Sequence, residues 1–177
     1  MAHDRVTGVR HDALTVSLRP AAPEDEPFLL QVYGSTRIDE LALVDWAPGQ
    51  QEAFLQMQLD AQHKHYALVF PGMHYWVVVR DGSAIGRMML AKLADEWRLV
   101  DIALLPEHRG TGLGTTLMQD LMADATRAGK RVTLHVESFN PARHLYERLG
   151  YVKVSEQSIY WLMEWRPPSD AEGRAHE

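Results

Sequence analysis

Hydrophobic and polar positions alternate in two separate parts of the chain, and helical spacing occupies the stretches between them. Leu14, Val16 and Leu18 point to one side of a short strand, Leu14–Leu18, because strand side chains repeat every two residues. From Tyr75 the alternation returns in YWVVVRDG and SAIGRMMLAKL, which are joined by Asp81-Gly82. An Asp-Gly pair favours a two-residue hairpin turn, so residues 75–105 are predicted to form three antiparallel strands.

Two helices are predicted between the first strand and this meander. Acidic residues cluster near the start of the first, within residues 21–37. The second lies within residues 49–65, and its apolar stripe is expected at Phe54, Met57 or Gln58, and Ala61. Residues 38–48 between them are expected to be partly helical.

The second half begins with a glycine-rich stretch and then repeats the alternation of helix and strand. Six apolar residues form a helical stripe that ends at Gly129: Leu113, Leu117, Met118, Leu121, Met122 and Ala125. RVTLHVE is a predicted strand, and Asn140-Pro141 is a typical helix start for the short helix ARHLYERL. YVKV and IYWLMEW are predicted as the last two strands.

The predicted order is β-α-α-β-β-β-α-β-α-β-β, which indicates the α+β class with a mixed sheet. We expect one domain over residues 14–166, flanked by flexible tails at 1–13 and 167–177, because both ends are polar and the second opens with Pro167-Pro168. A chain of 177 residues is long enough to bury a core of its own.

Composition narrows the classes of function. The chain has no cysteine, which excludes disulfides, thiolate metal sites and a cysteine nucleophile. A formal charge of −6 argues against nucleic-acid binding. No apolar stretch reaches the roughly 18 residues of a membrane span, and the charged N-terminus does not resemble a signal peptide. The expected location is therefore the cytoplasm, with no membrane partner.

The stretch LLPEHRGTGLGTTLM places three glycines between a strand and a helix. It lacks the lysine of a Walker loop and the G-x-G-x-x-G spacing of a dinucleotide fingerprint. Two alternatives remain: a turn that is rich in glycine for steric reasons alone, or a cradle for an anion such as pyrophosphate, held by amides at the start of a helix.

Two motifs in the predicted order resemble those of the GNAT superfamily of acyl-CoA-dependent N-acetyltransferases. They are DIALLPEHRGTGLGTTLM and VESFNPARHLYERLGYV, and the order of elements over about 150 residues is similar to that of the family. The resemblance implies a GNAT-like, mostly antiparallel mixed sheet and acetyl-CoA as the acetyl donor, with no metal. The acceptor would be a primary amine of a small molecule, amino acid or peptide. The alternative function is that of a non-catalytic acyl-CoA sensor. Homodimers are common in the family, so the resemblance also implies a homodimer as one possible assembly.

The resemblance also assigns cofactor contacts. The backbone amides of the glycine loop would hold the pyrophosphate, the preceding strand would run beside the pantetheine arm, and Asn140 would contact that arm or serve only as a helix N-cap. The expected cofactor-binding residues are Ile102, Leu104, Arg109, Gly110, Thr111, Gly112, Leu113, Gly114, Thr115 and Asn140.

Direct attack on a thioester requires an unprotonated amine, and a lysine-like amine with a pKa of about 10.4 is free in only about one molecule in 2,500 at pH 7. Tyr146, in the position of the family tyrosine, is the expected acid for the leaving thiolate, with core packing as the alternative. Asp101 interrupts an apolar strand, so it is expected to be the base, an ammonium anchor or a structural ion-pair partner. His135 and Glu137 are weaker candidates for the base.

Two histidines of QHKHY, His63 and His65, are expected to be surface residues rather than metal ligands, because no carboxylate completes a ligand set beside them.

Overall fold

A computed structural model describes residues 16–168 and shows the predicted order of elements with one short helix added. The strands are β1 (Val16–Pro20), β2 (His74–Arg80), β3 (Ser83–Lys92), β4 (Glu96–Leu104), β5 (Arg131–Glu137), β6 (Val152–Gln157) and β7 (Tyr160–Trp165). The helices are α1 (Glu26–Ser35), α2 (Ile38–Leu41), α3 (Gln50–Val69), α4 (Leu113–Arg127) and α5 (Ala142–Arg148). The start of the predicted first strand, the predicted tail 1–13 and residues 169–177 of the predicted tail 167–177 lie outside the described residues.

The seven strands have the order β1-β2-β3-β4-β5-β7-β6. Antiparallel pairing joins β1 to β2, β2 to β3, β5 to β7 and β6 to β7, whereas β4 and β5 are parallel. The prediction of a mixed, mostly antiparallel sheet in an α+β fold is confirmed.

Contacts divide the chain into two compact units. The first runs to Ala91 and includes Asp101–Thr111, and the second comprises Lys92–Val100 and the chain from Gly112 onward. The single domain predicted over residues 14–166 stays a prediction.

In the first unit, α1, α2 and α3 share a core cluster. Its buried members are Tyr33, Leu41, Leu55 and Leu59, with Trp46 and Phe54 packed against them. The predicted stripe of α3 is therefore wrong in part, because Leu55 and Leu59 carry its buried face while Met57 is exposed. Apolar side chains stand at neighbouring positions of this helix, so spacing alone did not select the face.

The β2–β3 turn confirms its prediction. Asp81 and Gly82 both have positive φ, 50° and 81°, as a two-residue hairpin of this type requires.

In the second unit, α4 buries the predicted stripe, except that Met122 is only half-buried. Gly129 ends the helix with a φ of 64°, in the left-handed conformation expected at that position. Val132, Leu134 and Val136 lie on the buried face of β5, as alternation predicted.

Across residues 16–168, no helix combines the length and the apolar character that crossing a membrane would require.

Candidate active site

Asp101 lies in an ion pair that the sequence did not reveal. In the first unit, Nε of Arg87 on β3 donates to Oδ2 of Asp101 on β4 across 2.7 Å. The Arg87 side chain is 2% exposed and that of Asp101 is 25% exposed. We refer to these two residues as the Arg87 pair. Of the three predicted roles of Asp101, the geometry supplies an ion-pair partner and leaves the other two as predictions.

Polar side chains from α3 and β2 surround the Arg87 pair. Arg87 Nη2 donates to Gln62 Oε1 at 3.4 Å, and His63 Nε2 lies 3.3 Å from the Tyr75 hydroxyl. Burial opposes the charge of Arg87, but Asp101 and Tyr75 more than offset it, so the pKa of Arg87 is raised. Burial also lowers the pKa of His63, and the Arg87 cation lowers it further. The prediction that His63 is a surface residue is wrong, because the ring is half-buried; His65 is exposed as predicted.

Gly86 allows β3 to lie close to the end of β4 in the same unit. A Cβ at this position would stand 2.4 Å from the carbonyl oxygen of Ala103, a distance that no side chain tolerates. The strand that carries Ile102 and Leu104 is therefore held tightly against β3. The sequence showed an alternating apolar strand here but not this close approach.

Arg109 anchors the loop that follows β4. Its Nε donates to the Leu104 carbonyl at 2.8 Å, and Nη2 donates to Ser35 Oγ at 3.0 Å. Its backbone amide donates to the Pro106 carbonyl at 3.1 Å. Because the backbone amide of Arg109 already has an acceptor, the amides left for an anion begin at Gly110.

The start of α4, in the second unit, has the properties of an anion site. Thr116 N donates to Gly112 O, and among residues 16–168 the amides of Gly112, Leu113, Gly114 and Thr115 have no acceptor. The first turn carries no acidic residue. Free amides at a helix start favour an anion.

Gly110 and Gly112 have positive φ, 69° and 85°, and a Cβ at either position would stand in open space. The loop therefore fits an anionic group such as a pyrophosphate, because the backbone is exposed and no side chain covers it. These observations favour the cradle over a turn that serves only steric needs.

One edge of β4 is available along its second half. Parallel pairing with β5 covers Glu96–Leu99 and Arg131–Leu134. Beyond Leu99, β4 has no ladder partner on this edge in the described pairing, and the free stretch includes Ile102 and Leu104. A strand edge of this kind can accept an extended ligand arm by adding it as a further strand.

Asn140 caps α5. Its Oδ1 accepts a hydrogen bond from the Ala142 amide at 2.9 Å, which agrees with the N-cap prediction although the helix begins one residue later than expected. The cap uses the oxygen of the side chain and leaves its NH₂ group outside this bond. The predicted contact with a cofactor is therefore compatible with the cap.

Tyr146 is the buried residue of α5, at 7% exposure, whereas Leu145 and Leu149 are only half-buried. Its ring packs against Tyr151 with a centroid distance of 5.9 Å. The Tyr151 hydroxyl is buried with no described partner, and burial, aided by Tyr146, raises its pKa. Packing is thus one role of Tyr146, and the acid role stays a prediction.

A second charged cluster lies in the second unit. It consists of Glu96, Arg98, Arg131, Thr133 and Glu164, and we refer to it as the Glu96 network. Glu96 Oε1 accepts from Arg98 and Thr133, while its Oε2 pairs with Arg131 at 3.1 Å. Both oxygens are therefore used.

His135 borders this network. Arg98 Nη1 lies 3.2 Å from His135 Nδ1 and can only donate, so Nδ1 accepts and the neutral ring carries its hydrogen on Nε2. Burial lowers the pKa of His135, and Arg98 lowers it further. In this arrangement His135 has no free lone pair with which to take a proton. Glu137 accepts a long hydrogen bond from the Tyr160 hydroxyl at 3.4 Å.

A groove of about 920 Å³ lies within the first unit. Its walls come from α1, α2, the start of α3 and residues 105–107, and they are largely apolar, as at Leu30, Ile38 and Leu55. Glu52 and Glu107 are the charged residues of its lining. Over residues 16–168, no group of three or more histidines or carboxylates is arranged to hold a metal ion.

Comparison with known proteins gives consistent results. The family model described as the acetyltransferase (GNAT) family matches residues 36–151, which is more than half of the chain. The ribosomal protein bS18-alanine N-acetyltransferase of Haemophilus influenzae is 31% identical over 85 residues, 48% of this chain and 58% of that protein. An N-alpha-acetyltransferase of Saccharolobus solfataricus is 29% identical over 105 residues, 51% of this chain and 63% of that protein. The chain thus spans less than two thirds of the length of these curated relatives.

Among solved structures, the PaiA N-acetyltransferase of Thermoplasma acidophilum in complex with coenzyme A superposes with a TM-score of 0.66. The superposition covers 85% of this chain and 98% of that one at 17% sequence identity, so it shows a shared fold.

Proposed function

This chain belongs to the acetyltransferase (GNAT) family, and we propose that it transfers the acetyl group of acetyl-CoA to a primary amine by direct attack on the thioester. The new C–N bond forms as the C–S bond breaks, the amine loses a proton, and the leaving thiolate gains one. The names of the two curated relatives favour the amino terminus of a protein as the acceptor. A small-molecule or amino-acid amine is the wider class.

The observation that carries the proposal is the start of α4, where Gly110 and Gly112 are left-handed and the four amides from Gly112 to Thr115 have no acceptor within residues 16–168. Partial positive charge at this point, roughly half an elementary charge, suits the pyrophosphate of coenzyme A. The free edge of β4 suits an extended arm such as pantetheine, and the contact of Asn140 with that arm stays what the resemblance to the family implies. When bound, the donor supplies an activated acetyl carbonyl.

Asp101 and Tyr146 are the residues of this chain proposed to act on protons. Asp101 is proposed to receive the acceptor amine, as an anchor or as the base, since its carboxylate is a quarter exposed. Tyr146 is proposed to donate to the leaving sulfur, since a phenol keeps its proton at neutral pH. His135 is given no role in proton transfer, because the lone pair on Nδ1 accepts a hydrogen bond from Arg98.

The groove of the first unit supports a peptide as the acceptor. Its apolar walls suit apolar side chains of a peptide, and Glu52 and Glu107 suit a cationic side chain, whereas the reacting amine is assigned to Asp101. The cytoplasmic location and the homodimer expected from the sequence stay predictions.

The proposal is tested by measuring the free thiol that the purified protein releases from acetyl-CoA with a panel of amines. The panel contains peptides with alanine, serine or methionine at the amino terminus, the same peptides with blocked termini, amino-acid amides and a polyamine. We expect release with at least one free amine and none with the blocked peptides. Binding of acetyl-CoA without turnover on any amine would instead favour the sensor.

Two glycine variants isolate the cofactor loop. Gly112→Ala and Gly129→Ala each force alanine into a left-handed conformation with open space around it, at a cost of about 1–2 kcal/mol each. Both variants should therefore lose similar thermal stability. Only Gly112→Ala should weaken the binding of coenzyme A, by about tenfold, as measured by calorimetry. Equal affinity in the two variants would remove the loop from the cofactor site.

A further inference from the structure

Among residues 16–168, Arg87 is the largest of the fully buried side chains, and the proposed reaction gives it no role. A buried cation is costly unless charge and hydrogen bonds compensate it. Strand β3 is otherwise apolar around this position, with Ile85, Met88 and Met89 all buried. A residue that serves packing alone would be apolar here, so the guanidinium needs another explanation.

The compensation of Arg87 is incomplete. Nε is bound by Asp101 at 2.7 Å, and Nη2 reaches Gln62 only at 3.4 Å. Nη1 is buried and has no hydrogen-bond partner among the described residues. Tyr75 also favours the charge, and Cζ lies 5.4 Å from the centroid of the Tyr33 ring, but the shortest described hydrogen bond of the guanidinium is the one to Asp101.

Asp101 is likewise bound on one side only. Oδ2 receives the hydrogen bond from Arg87, and Oδ1 accepts none from any residue in the described part of the chain. A second ion pair in the same unit is saturated, meaning that both oxygens of its carboxylate accept hydrogen bonds. Both oxygens of Asp25 are bound by Arg19, at 2.6 and 2.7 Å, and the Ala22 amide adds a third bond.

The two pairs differ in which partner is buried. In the pair of Arg19 and Asp25 the cation is 46% exposed, whereas in the Arg87 pair the cation is buried and the carboxylate reaches solvent. A buried cation that holds one oxygen of a partly exposed carboxylate fixes the direction of the other oxygen.

We propose that Arg87 is a positioning residue, which holds Asp101 by one oxygen so that the other receives the amine of the acceptor. This inference rests on the proposed function and deepens it by naming how the acceptor amine is bound. It implies that the acceptor presents a free or ammonium-form amine as a hydrogen-bond donor. An acceptor without such an N–H group gains nothing from the Arg87 pair.

The expected signature is a change in acceptor binding rather than in cofactor binding. Arg87→Met releases Asp101 from its fixed orientation, so the KM for the amine should rise about tenfold to a hundredfold, as expected for a misplaced binding group. Arg87→Lys keeps the charge but not the planar geometry, and it should recover part of this loss. Affinity for coenzyme A should stay within twofold of wild type in both. Arg19→Met is the matched control, and it should leave the KM for the amine unchanged.

A double variant separates positioning from mere stability. In an Asp101→Asn background, Arg87→Met should raise the KM by less than threefold further, because the carboxylate through which Arg87 acts is already gone. Thermal denaturation of each variant shows whether it is folded. If Arg87→Met alone fails to fold, the comparison uses Arg87→Lys and the Arg87→Met/Asp101→Leu pair, which leaves no buried charge unpaired.

The inference is overturned if wild type turns over an amine and folded Arg87→Met or Arg87→Lys has the same KM, or if the two changes are independent in the double variant. If wild type releases no thiol with any amine, the proposed function fails by itself. Calorimetric binding of the alanine peptide to wild type and Asp101→Asn then decides the inference, and equal affinity overturns it.

Discussion

The Arg87 pair and the Glu96 network are both built from arginine and carboxylate, but they differ in saturation. In the network, both oxygens of Glu96 are bound, and Glu164 also accepts from Arg131 and Arg166. In the Arg87 pair, one oxygen of Asp101 and one nitrogen of Arg87 have no described partner. A saturated cluster has no capacity for a ligand, whereas an unsaturated one leaves donors and acceptors for it.

This difference explains why a carboxylate on β4 can have either of two roles. Glu96 and Asp101 lie on the same strand, five positions apart, and both pair with arginine. Only Asp101 keeps an oxygen that accepts no described hydrogen bond. The proposed role of Asp101 therefore rests on its incomplete hydrogen bonding rather than on the presence of a charge.

The largest expected effect is the loss of stability when the Arg87 pair is broken. Asp101→Leu leaves a buried cation without its partner, so the free energy of unfolding should fall by about 3 kcal/mol, near the lower end for buried pairs because Asp101 is partly exposed. The measurement is urea denaturation. Arg87→Met/Asp101→Leu should recover most of the loss, because no charge is then left unpaired. A loss below about 1 kcal/mol in the single variant would show that Arg87 does not depend on Asp101.

The smallest expected effect concerns the pH dependence of stability, which should differ between His63 beside the Arg87 pair and His135 beside the Glu96 network. The pKa values of His63 and His135 are both lowered by burial and then by an arginine, Arg87 and Arg98 respectively. An unfolded histidine titrates near pH 6.5, so their contribution to stability is complete above about that pH and is lost as the pH falls through the lower folded-state pKa.

The melting temperature of wild type should therefore fall between pH 7 and pH 5. His63→Gln should flatten this dependence more than His135→Gln, because His63 is more deeply buried than His135. Thermal denaturation at a series of pH values makes the comparison. An identical pH dependence in wild type and His63→Gln would contradict the stated direction of the pKa of His63.

Local signals in the sequence were sufficient for most of the fold. Alternation located the strands, Asp81-Gly82 located a hairpin, and the stripe from Leu113 to Ala125 located both the helix and its buried face. These signals work because each depends only on neighbours in the chain. The stripe of α3 was misplaced because Phe54 and Leu55 are both apolar, and the choice between them depends on what the helix packs against.

The site was predicted less completely, for the same physical reason. The glycine loop and Asn140 were recognisable because backbone conformation and capping are local properties. The ion-pair partner of Asp101 was not recognisable from the sequence, because it depends on which strand lies beside β4 in the sheet. The burial of His63 was not recognisable either, because it depends on the packing of α3 against β2.

The role of Asp101 in binding the acceptor is tested most directly by the kcat/KM for the amine of Asp101→Asn and Glu96→Gln, each compared with wild type in the thiol-release assay. The two variants make the same chemical change on the same strand, one in the unsaturated pair and one in the saturated network. Asp101→Asn is expected to lose about a hundredfold in kcat/KM, the size expected when a positioned polar group is removed, while Glu96→Gln is expected to stay within about threefold of wild type. Equal effects of the two variants, or full activity of Asp101→Asn, would contradict this role of Asp101.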